Sequence, residues 1–508
     1  MNTTTHKEKF HWQQWMPIVL ILLLATGLYL YDLGEESLWR DELISVHRAK
    51  NLKDSFFGPR PLYHTLLSVW MMFGESDSWL RGLCVIFTLG SVFLIYQLGC
   101  RLVSKPVGLI SALLLTLSPL FINHAQEVRM YGPSTFFGLL GTLALASALE
   151  SPNKFSIGGW AIARWLAIIS TPLNLLLLLP DTVLFAWRFR KEKRELLSFG
   201  IGLIAIFLLW SPWFVRVAIN SLSFVGGVRQ VDTVDPSLVS KFKHPAPGLF
   251  TVLFQVTKFT TWYHSRRPAS NLIYGFYIFY SVITVSLIGL AIFEKRNEQK
   301  IGWAAAWGFL PLIPIFVFSH ISRSLWVNRY LMFTAPYTFI VLAVGFLAVW
   351  RRWKIGAVAI ALIYFVAVGG VLKRYYAIQD RGNWRDVFQL IQTNEQPGDL
   401  FVWAGTRRIE IAINHYYRGS ANIMHKNRSD LEDPQALESW IQSLPKTQSR
   451  IWLVLDLSPS ILSAIEKQFE IQMKQQQHKT SDQADVLLVI PRKRYDERKN
   501  LESNKKSI

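Results

Sequence analysis

Two stretches near the start of the chain decide its architecture: WMPIVLILLLATGLYLY at Trp15–Tyr31, followed by Leu38-Trp39-Arg40-Asp41-Glu42. The first stretch is apolar and close to the roughly 20 residues that a membrane-spanning helix needs. The second places two adjacent carboxylates just beyond the end of that helix. Carboxylates are expensive near hydrocarbon unless they meet water, a cation or a partner. The pair is therefore either a polar loop that ends the helix or a catalytic acidic pair at a membrane-embedded site.

The composition extends the membrane interpretation to the whole chain. Of its 508 residues, 51% are hydrophobic, and the net charge is +19. The basic residues cluster between apolar runs, where the positive-inside rule and anionic lipid headgroups account for them, so nucleic acid is not expected as a partner. Cys84 and Cys100 lie within or at the end of an apolar run, which indicates buried thiols rather than a disulfide.

The apolar runs predict about eleven membrane crossings, at roughly 20 apolar residues per helix. They cover residues 15–31, 80–99, 107–122, 131–149, 155–170, 172–187, 196–218, 272–293, 301–320, 330–350 and 355–372. The run Pro61–Phe73 is too short to cross and is expected to be interfacial or re-entrant. Basic residues in alternate loops place the N-terminus in the cytoplasm and Asp41 outside.

The composition changes to that of a soluble domain from Arg374 onward. Short apolar runs predict strands at Asp399–Trp403, Ile451–Leu457 and Asp485–Ile490, and capped helices are expected at Asn383–Gln392 and Ser458–Phe469. We therefore predict a mainly α, polytopic membrane domain (1–372, including the first outer loop 32–60 with the acidic pair), a small extracytoplasmic α/β domain (373–491) and a charged tail (492–508).

Two polar motifs accompany predicted helix starts on the outer side. Gly58-Pro59-Arg60-Pro61-Leu62-Tyr63-His64 precedes an apolar helix. Arg60 either binds a phosphate together with free helix N–H groups, or only reaches the lipid headgroups. Arg329-Tyr330 opens a span, where a cation opposes the helix dipole. Arg329 is therefore either an interfacial anchor or held by an anion.

Two further segments leave similar alternatives open. Glu127 and Arg129, within Gln126–Tyr131, either pair with each other or mark a ligand pathway between spans. The longer loop Asn220–Ser270 is either a lid over a site or an ordinary exposed loop. Its basic and aromatic residues include Lys258, Tyr263, His264, Arg266 and Arg267.

Taken in order, these motifs resemble the GT-C membrane glycosyltransferases, which include dolichyl-phosphate-mannose protein mannosyltransferases and bacterial lipid A aminoarabinose transferases. The resemblance rests on Leu38–Glu42, Arg60–Tyr63, Ala125–Tyr131 and Arg329–Leu331, all within residues 15–372. The bacterial branch with a Gln-Glu-x-Arg-Met-Tyr signature is the most similar. This chain has Arg60-Pro61 where the family often has two prolines before Leu-Tyr.

The resemblance implies a GT-C fold and a sugar donor linked to polyprenyl phosphate, used on the noncytoplasmic face of a bacterial plasma membrane. Polyprenyl phosphate is a good leaving group, so the leaving side needs charge neutralisation, for which Arg60, Arg129 and Arg329 are the candidates. Further candidate site residues are Tyr63, His64, Glu127, Tyr131 and Tyr330.

The acceptor, a lipid, glycan or protein, needs a base for its hydroxyl. Asp41 is the candidate, in a direct displacement that inverts the anomeric carbon; glycosidases, by contrast, usually use two separated carboxylates. Glu42 either orients the acceptor or, with Asp41, holds a divalent cation such as Mg²⁺ or Mn²⁺.

Two other functions fit part of the pattern. A lipid-linked saccharide transporter would share the spans and the anionic ligand, but it needs neither a fixed carboxylate pair nor a large soluble domain. A surface-polysaccharide polymerase or ligase would differ only in its acceptor.

Overall fold

The computed structural model describes residues 12–232, 246–261, 270–293, 298–322, 324–377, 381–404, 407–426, 434–444, 450–455, 459–475 and 485–491. The chain divides into two compact units, Met1–Leu33 with Ala49–Ile378, and Gly34–Arg48 with Gln379–Ile508. The acidic-pair segment therefore belongs to the unit of the C-terminal residues, whereas the predicted boundaries grouped it with the membrane domain. Tyr263, His264, Arg266, Arg267 and the tail 492–508 lie outside the described residues.

The described residues up to 377 are mainly helical. In chain order the α-helices are α1 Trp12–Leu30, α2 Arg40–Ala49, α3 Leu52–Phe57, α4 Pro61–Met71, α5 Asp77–Leu102, α6 Lys105–Leu117, α7 Pro119–Ala125, α8 Tyr131–Glu150, α9 Lys154–Ser170, α10 Leu178–Arg188, α11 Lys193–Asp232, α12 Leu249–Leu253, α13 Gln255–Thr260, α14 Asn271–Phe293, α15 Glu298–Phe309, α16 Leu312–Ile321, α17 Asn328–Leu331, α18 Ala335–Arg352 and α19 Lys354–Ala377. Short 3₁₀ helices at Pro172–Leu177 and Met332–Thr334 precede α10 and α18.

The described part of the chain contains eight candidate spans, or up to nine if the bent pair α6–α7, which turns by 62°, is one span. The chain is thus a polytopic, mainly helical integral membrane protein, as predicted, although the described helices give fewer candidate spans than the predicted number. One cause is α9, which has only 17 residues. Another is the predicted span 172–187, because it divides into a 3₁₀ helix beginning at Pro172 and the 11-residue α10. The 11-residue α4 is likewise too short to cross.

The second unit contains a five-stranded sheet in the order β2-β1-β3-β5-β4. The strands are β1 Leu400–Ala404, β2 Asn422–Lys426, β3 Ile451–Leu455, β4 Phe469–Gln475 and β5 Asp485–Pro491. The neighbours β2, β1 and β3 are parallel, whereas β5 is antiparallel to β3 and to β4. Helices α20 Trp384–Asn394, α21 Arg407–Tyr416, α22 Pro434–Ser443 and α23 Pro459–Gln468 alternate with the strands. The predicted small α/β domain is therefore present.

Burial explains which strands the sequence revealed. Every residue of β3 is buried and β5 is buried from its second residue, so both appear as apolar runs. In β4 burial alternates with partial exposure, and in β2 Ile423 is half exposed. Edge strands have weaker hydrophobic patterns because one side of each meets no neighbouring strand, and these two were not predicted.

Candidate functional site

Arg60 occupies the start of α4. It is the N-cap residue, and Pro61 follows at the first helical position, where a missing N–H costs little. The Arg60 carbonyl accepts a hydrogen bond from the His64 N–H at 3.1 Å. The predicted placement of Arg60 at the helix start is correct. Tyr63 and His64 are each only 1% exposed, with ring centroids 5.4 Å apart.

Arg329 lies on the single turn α17. Its guanidinium lies over the ring of Tyr330, 5.3 Å from the centroid, in a cation–π arrangement. Gln255 of α13 holds the neighbouring residues in place. Its amide donates to Asn328 Oδ1 at 3.1 Å, and its carbonyl accepts from Trp326 Nε1 at 2.9 Å. Helix α13 therefore holds the chain at the start of the short turn that carries Arg329 and just before it.

Arg60 and Arg329 line one cavity of about 390 Å³ in the helical unit. Tyr131 and Tyr330 line it as well. The structure thus brings four of the predicted site residues to a single cavity, from three separate parts of the sequence. The volume is in the range of small-molecule sites. Two arginines at one cavity favour an anionic ligand, because guanidinium groups match phosphate geometry.

Tyr131 is the first residue of α8 and is only 5% exposed. Its hydroxyl has no hydrogen-bond partner within the part of the chain that the structure describes. A buried hydroxyl without a partner costs about 1–3 kcal/mol. A ligand oxygen in the cavity would supply that partner.

Three hydroxyl residues at the cavity were not predicted. Ser134, Thr135 and Thr171 all line it, and Ser134 Oγ accepts a hydrogen bond from Asn174 at 2.8 Å. Ser134 and Thr135 follow Tyr131 by three and four positions, which is the spacing of one helical face. That spacing was visible in the sequence. No comparable local pattern marks Thr171, because it comes from a different part of the chain.

Glu127 and Arg129 are not among the lining residues of the cavity. The Glu127 carboxylate accepts a hydrogen bond from Asn123 at 3.0 Å and lies 2.8 Å from His124 Nδ1. The Arg129 carbonyl accepts from the Cys84 thiol at 2.9 Å. Both side chains are buried. Glu127 thus bonds within its own turn, and neither side chain lines the cavity.

The acidic pair, in the second unit, divides into two different carboxylates. Glu42 is fully buried, and its Oε2 accepts a hydrogen bond from the Trp39 N–H at 3.1 Å. This contact is one half of a capping box at the start of α2. Asp41 is 20% exposed and lies 3.7 Å from the Arg40 guanidinium. Glu42 therefore stabilises the helix start, and Asp41 is the carboxylate that meets solvent.

The donor set at the pair does not fit a resident divalent cation. One Glu42 oxygen is engaged by the helix start, and a guanidinium lies beside Asp41. Mg²⁺ and Mn²⁺ prefer several oxygen ligands without a neighbouring cation. No group of three or more His, Cys, Asp or Glu side chains within the described ranges is arranged to hold a metal ion.

A second polar cluster, which we call the sealed cluster, lies inside the helical unit. Arg164 and Asp181 are fully buried and form an ion pair at 2.6 Å. Arg164 also donates to the Gly138 carbonyl at 2.6 Å and to Thr142 Oγ1 at 2.7 Å. The remaining donors to Asp181 are Trp160 Nε1 and Trp307 Nε1, each at 2.8 Å. The cluster joins four helices and was not predicted.

From the predicted lid, Lys258 is described and lies on α13. Burial lowers the pKa of its ammonium. Helix α13 is the one that braces Arg329 through Gln255, so this part of the long loop is ordered structure beside the cavity-lining turn.

No protein-family model matches the chain. An uncharacterized protein of Aquifex aeolicus (strain VF5) is 28% identical over 220 residues, which are 39% of this chain and 43% of that protein. The chain thus matches less than half the length of this curated relative.

Solved structures are similar over much more of the chain. ArnT from Cupriavidus metallidurans bound to undecaprenyl phosphate has a TM-score of 0.55 and 14% identity, covering 93% of this chain and 98% of that one. The archaeal oligosaccharyltransferase AglB from Archaeoglobus fulgidus, in complex with an inhibitory peptide and a dolichol-phosphate, has a TM-score of 0.53 and 11% identity, covering 87% and 69%. Both are GT-C glycosyltransferases, and this chain has the GT-C fold that its motifs predicted.

Proposed function

We propose that this protein is an inverting glycosyltransferase. It moves a sugar from a polyprenyl-phosphate-linked donor to a lipid, glycan or protein acceptor on the extracytoplasmic face of a bacterial plasma membrane. The observation that carries the proposal is the cavity lined by Arg60, Arg329 and the buried Tyr131 in a chain with the GT-C fold. The lipid phosphates bound in the ArnT and AglB structures support a donor of this chemical class.

The donor phosphate binds at this cavity. Arg60 and Arg329 neutralise its charge, and the Tyr131 hydroxyl donates a hydrogen bond to one of its oxygens. Charge-assisted hydrogen bonds of this kind are each worth about 1.5–3 kcal/mol. The bond from the anomeric carbon to the phosphate oxygen lengthens in the transition state, so negative charge grows on that oxygen. The arginines therefore stabilise the transition state more than the ground state.

Asp41 is the base. It accepts the proton of the acceptor hydroxyl while the acceptor oxygen bonds to the anomeric carbon and polyprenyl phosphate leaves with the bonding electron pair. One displacement inverts that carbon. The exposure of Asp41 suits proton exchange with water after each turnover. Glu42 keeps the start of α2 in place and carries no proton in this mechanism. No step passes through a metal ion.

The test is transfer by the purified protein in detergent, with radiolabelled polyprenyl-phosphate sugars as donors and mass spectrometry of the lipid extract. Asp41→Asn keeps the shape of the side chain but cannot accept the proton. We expect its rate to fall by about 10²–10⁴-fold, with undecaprenyl phosphate binding retained. Glu42→Gln is the matched control, because glutamine also completes a capping box. We expect Glu42→Gln to transfer at close to the wild-type rate.

Other outcomes separate the alternatives. Near-wild-type transfer by Asp41→Asn would remove the base assignment. Movement of labelled lipid across a proteoliposome without any new glycosidic product would indicate a lipid-linked saccharide transporter. A product that grows by repeating units would indicate a polysaccharide polymerase instead.

A further inference from the structure

Residues 34–38, which precede the start of α2, are bonded to the C-terminal domain, more than 340 positions away in sequence. The Ser37 hydroxyl donates to the Gly382 carbonyl at 2.5 Å. The Leu38 N–H donates to the Tyr416 hydroxyl at 2.7 Å. The Glu36 carboxylate accepts from the Arg381 N–H at 3.1 Å, and the Arg381 guanidinium lies 3.5 Å from it. These contacts lie within the second compact unit.

Arg385 holds the beginning of the same segment. Its two terminal nitrogens donate to the carbonyls of Gly34 at 2.8 Å and Glu35 at 2.5 Å. A guanidinium can bind two carbonyls in a fixed orientation because its donors form a rigid planar fork. Arg385 belongs to α20, whose inward face packs through Val387 and Phe388, both fully buried. The anchor is therefore carried by a helix that packs into the core of the domain.

The Tyr416 contact is the one nearest to the acidic pair. Leu38 is fully buried and immediately precedes Trp39, whose carbonyl accepts the first helical bonds from Glu42 and Leu43 at 2.9 and 3.0 Å. The Tyr416 hydroxyl thus fixes the backbone one residue before the helix that carries Asp41. Without the Tyr416 hydroxyl, the buried Leu38 N–H would lose its hydrogen-bond partner. Because an unpaired buried N–H raises the free energy of the folded state, the segment would be expected to rearrange.

We propose that Tyr416 and Arg385 are positioning residues that set the orientation of Asp41 for proton transfer. This inference rests on the proposed function, in which Asp41 is the base. It assigns to the C-terminal domain a direct part in catalysis: the domain supplies the anchors of the acidic loop. A small displacement of a reacting group is enough to slow an enzyme about 10²-fold, so loss of an anchor reduces turnover without removing any reacting atom.

The experiment compares two adjacent tyrosines of the same domain. Tyr416→Phe removes the bond to Leu38. Tyr417→Phe removes bonds to Glu395 at 2.7 Å and to the Ala421 N–H at 3.1 Å, neither of which involves the acidic loop. Transfer is measured at saturating acceptor with a radiolabelled polyprenyl-phosphate sugar. We expect kcat to fall about 10- to 100-fold in Tyr416→Phe, with the donor KM unchanged, and to change less than threefold in Tyr417→Phe.

A second measurement does not depend on activity. Hydrogen–deuterium exchange of the peptide containing residues 34–42 should accelerate in Tyr416→Phe and stay at the wild-type rate in Tyr417→Phe. Arg385→Gln should accelerate the same peptide, and Arg385→Lys should restore part of the protection because it keeps one charged donor.

Several results would overturn the inference. Equal losses of kcat in both tyrosine variants would mean that the effect is general destabilisation. Unchanged exchange of residues 34–42 in Tyr416→Phe would mean that the hydroxyl does not hold the loop. Wild-type kcat in Tyr416→Phe, together with an inactive Asp41→Asn, would reject positioning while leaving the base assignment intact. Wild-type kcat in Asp41→Asn would instead remove the base assignment on which the inference rests.

Discussion

The helical unit contains two groups of polar side chains that differ in what surrounds them. In the sealed cluster, protein groups meet the donors of Arg164, and the Asp181 carboxylate receives hydrogen bonds from two tryptophans. Arg60, Arg329 and Tyr131 instead line about 390 Å³ of open space. The sealed cluster resembles a structural core made of polar groups, whereas in the proposed function the cavity receives the donor phosphate.

Two tyrosines show the same difference at the scale of one hydroxyl. The Tyr337 hydroxyl shares a hydrogen bond with Thr142 at 2.7 Å and donates to the Gly138 carbonyl at 3.3 Å. The Tyr131 hydroxyl has no such partner in the described part of the chain. Both rings are buried. Burial alone therefore does not distinguish these two tyrosines, whereas the hydrogen bonds of their hydroxyl groups do.

The largest effect is expected from breaking the sealed cluster. Asp181→Leu leaves the buried Arg164 guanidinium without its carboxylate and two tryptophan N–H groups without their acceptor. We expect the free energy of unfolding to fall by about 3–5 kcal/mol. Thermal denaturation of the purified variant in detergent measures the loss. Stability equal to that of the wild type would show that the cluster can relax or take up water.

Substitution of the cavity arginines should have the opposite effect: it should weaken ligand binding and leave stability unchanged. Arg329→Ala should weaken binding of undecaprenyl phosphate by about 1.5–3 kcal/mol, or about ten- to hundredfold in Kd, because a charge-assisted bond to the phosphate is lost. Arg60→Ala should have a similar effect. Equilibrium binding of labelled undecaprenyl phosphate measures it. We expect the melting temperature of either variant to stay close to that of the wild type.

A wild-type Kd in both arginine variants would mean that these residues only anchor the protein at the interface. Loss of binding together with loss of stability would place them in the folded core, with the sealed cluster. Arg60→Lys and Arg329→Lys serve as controls, since lysine keeps the charge but loses the planar fork.

The smallest effects are expected from removing one tyrosine hydroxyl beside the sealed cluster and one at the cavity. Tyr337→Phe leaves its former partners at Thr142 and Gly138 without that bond, so stability should fall by about 1–3 kcal/mol with undecaprenyl phosphate binding unchanged. Tyr131→Phe should leave stability unchanged or slightly higher, and should weaken binding by about 0.5–1.5 kcal/mol. Melting temperature and Kd, measured on both variants, give the two readouts. The reverse pattern would contradict the distinction between the two groups.

Most of the architecture could be predicted because apolar length is a local property. A run such as Trp15–Tyr31 predicts a helix without reference to any other part of the chain, and α1 covers nearly all of it. The prediction failed at residues 172–187, where Pro172 and Pro180 interrupt an apolar run. Hydrophobicity counts such a run as a span, whereas the backbone divides it, because proline lacks an N–H and clashes with the preceding turn.

The candidate site could be predicted only in part. Motif order selected Arg60, Tyr131 and Arg329, but it gave Arg129 the same standing, although Arg129 does not line the cavity. Both adjacent carboxylates, Asp41 and Glu42, were predicted to be site residues. Their difference arises from the path of the backbone at Trp39, which turns one carboxylate into a helix cap.

The sequence by itself determined that this is a polytopic membrane protein with a small α/β domain, because hydrophobic length and residue alternation act over one element at a time. It also determined which charged motifs accompany the helix starts. Only the tertiary structure decided which polar groups form hydrogen bonds with distant parts of the chain. Arg164 finds Asp181, and Leu38 finds Tyr416, through hydrogen bonds between segments that no local pattern relates. Hydrogen bonds act over about 3 Å in space, and their partners can have any separation in sequence. The difference between the sealed cluster and the residues that line the cavity therefore appears only after folding.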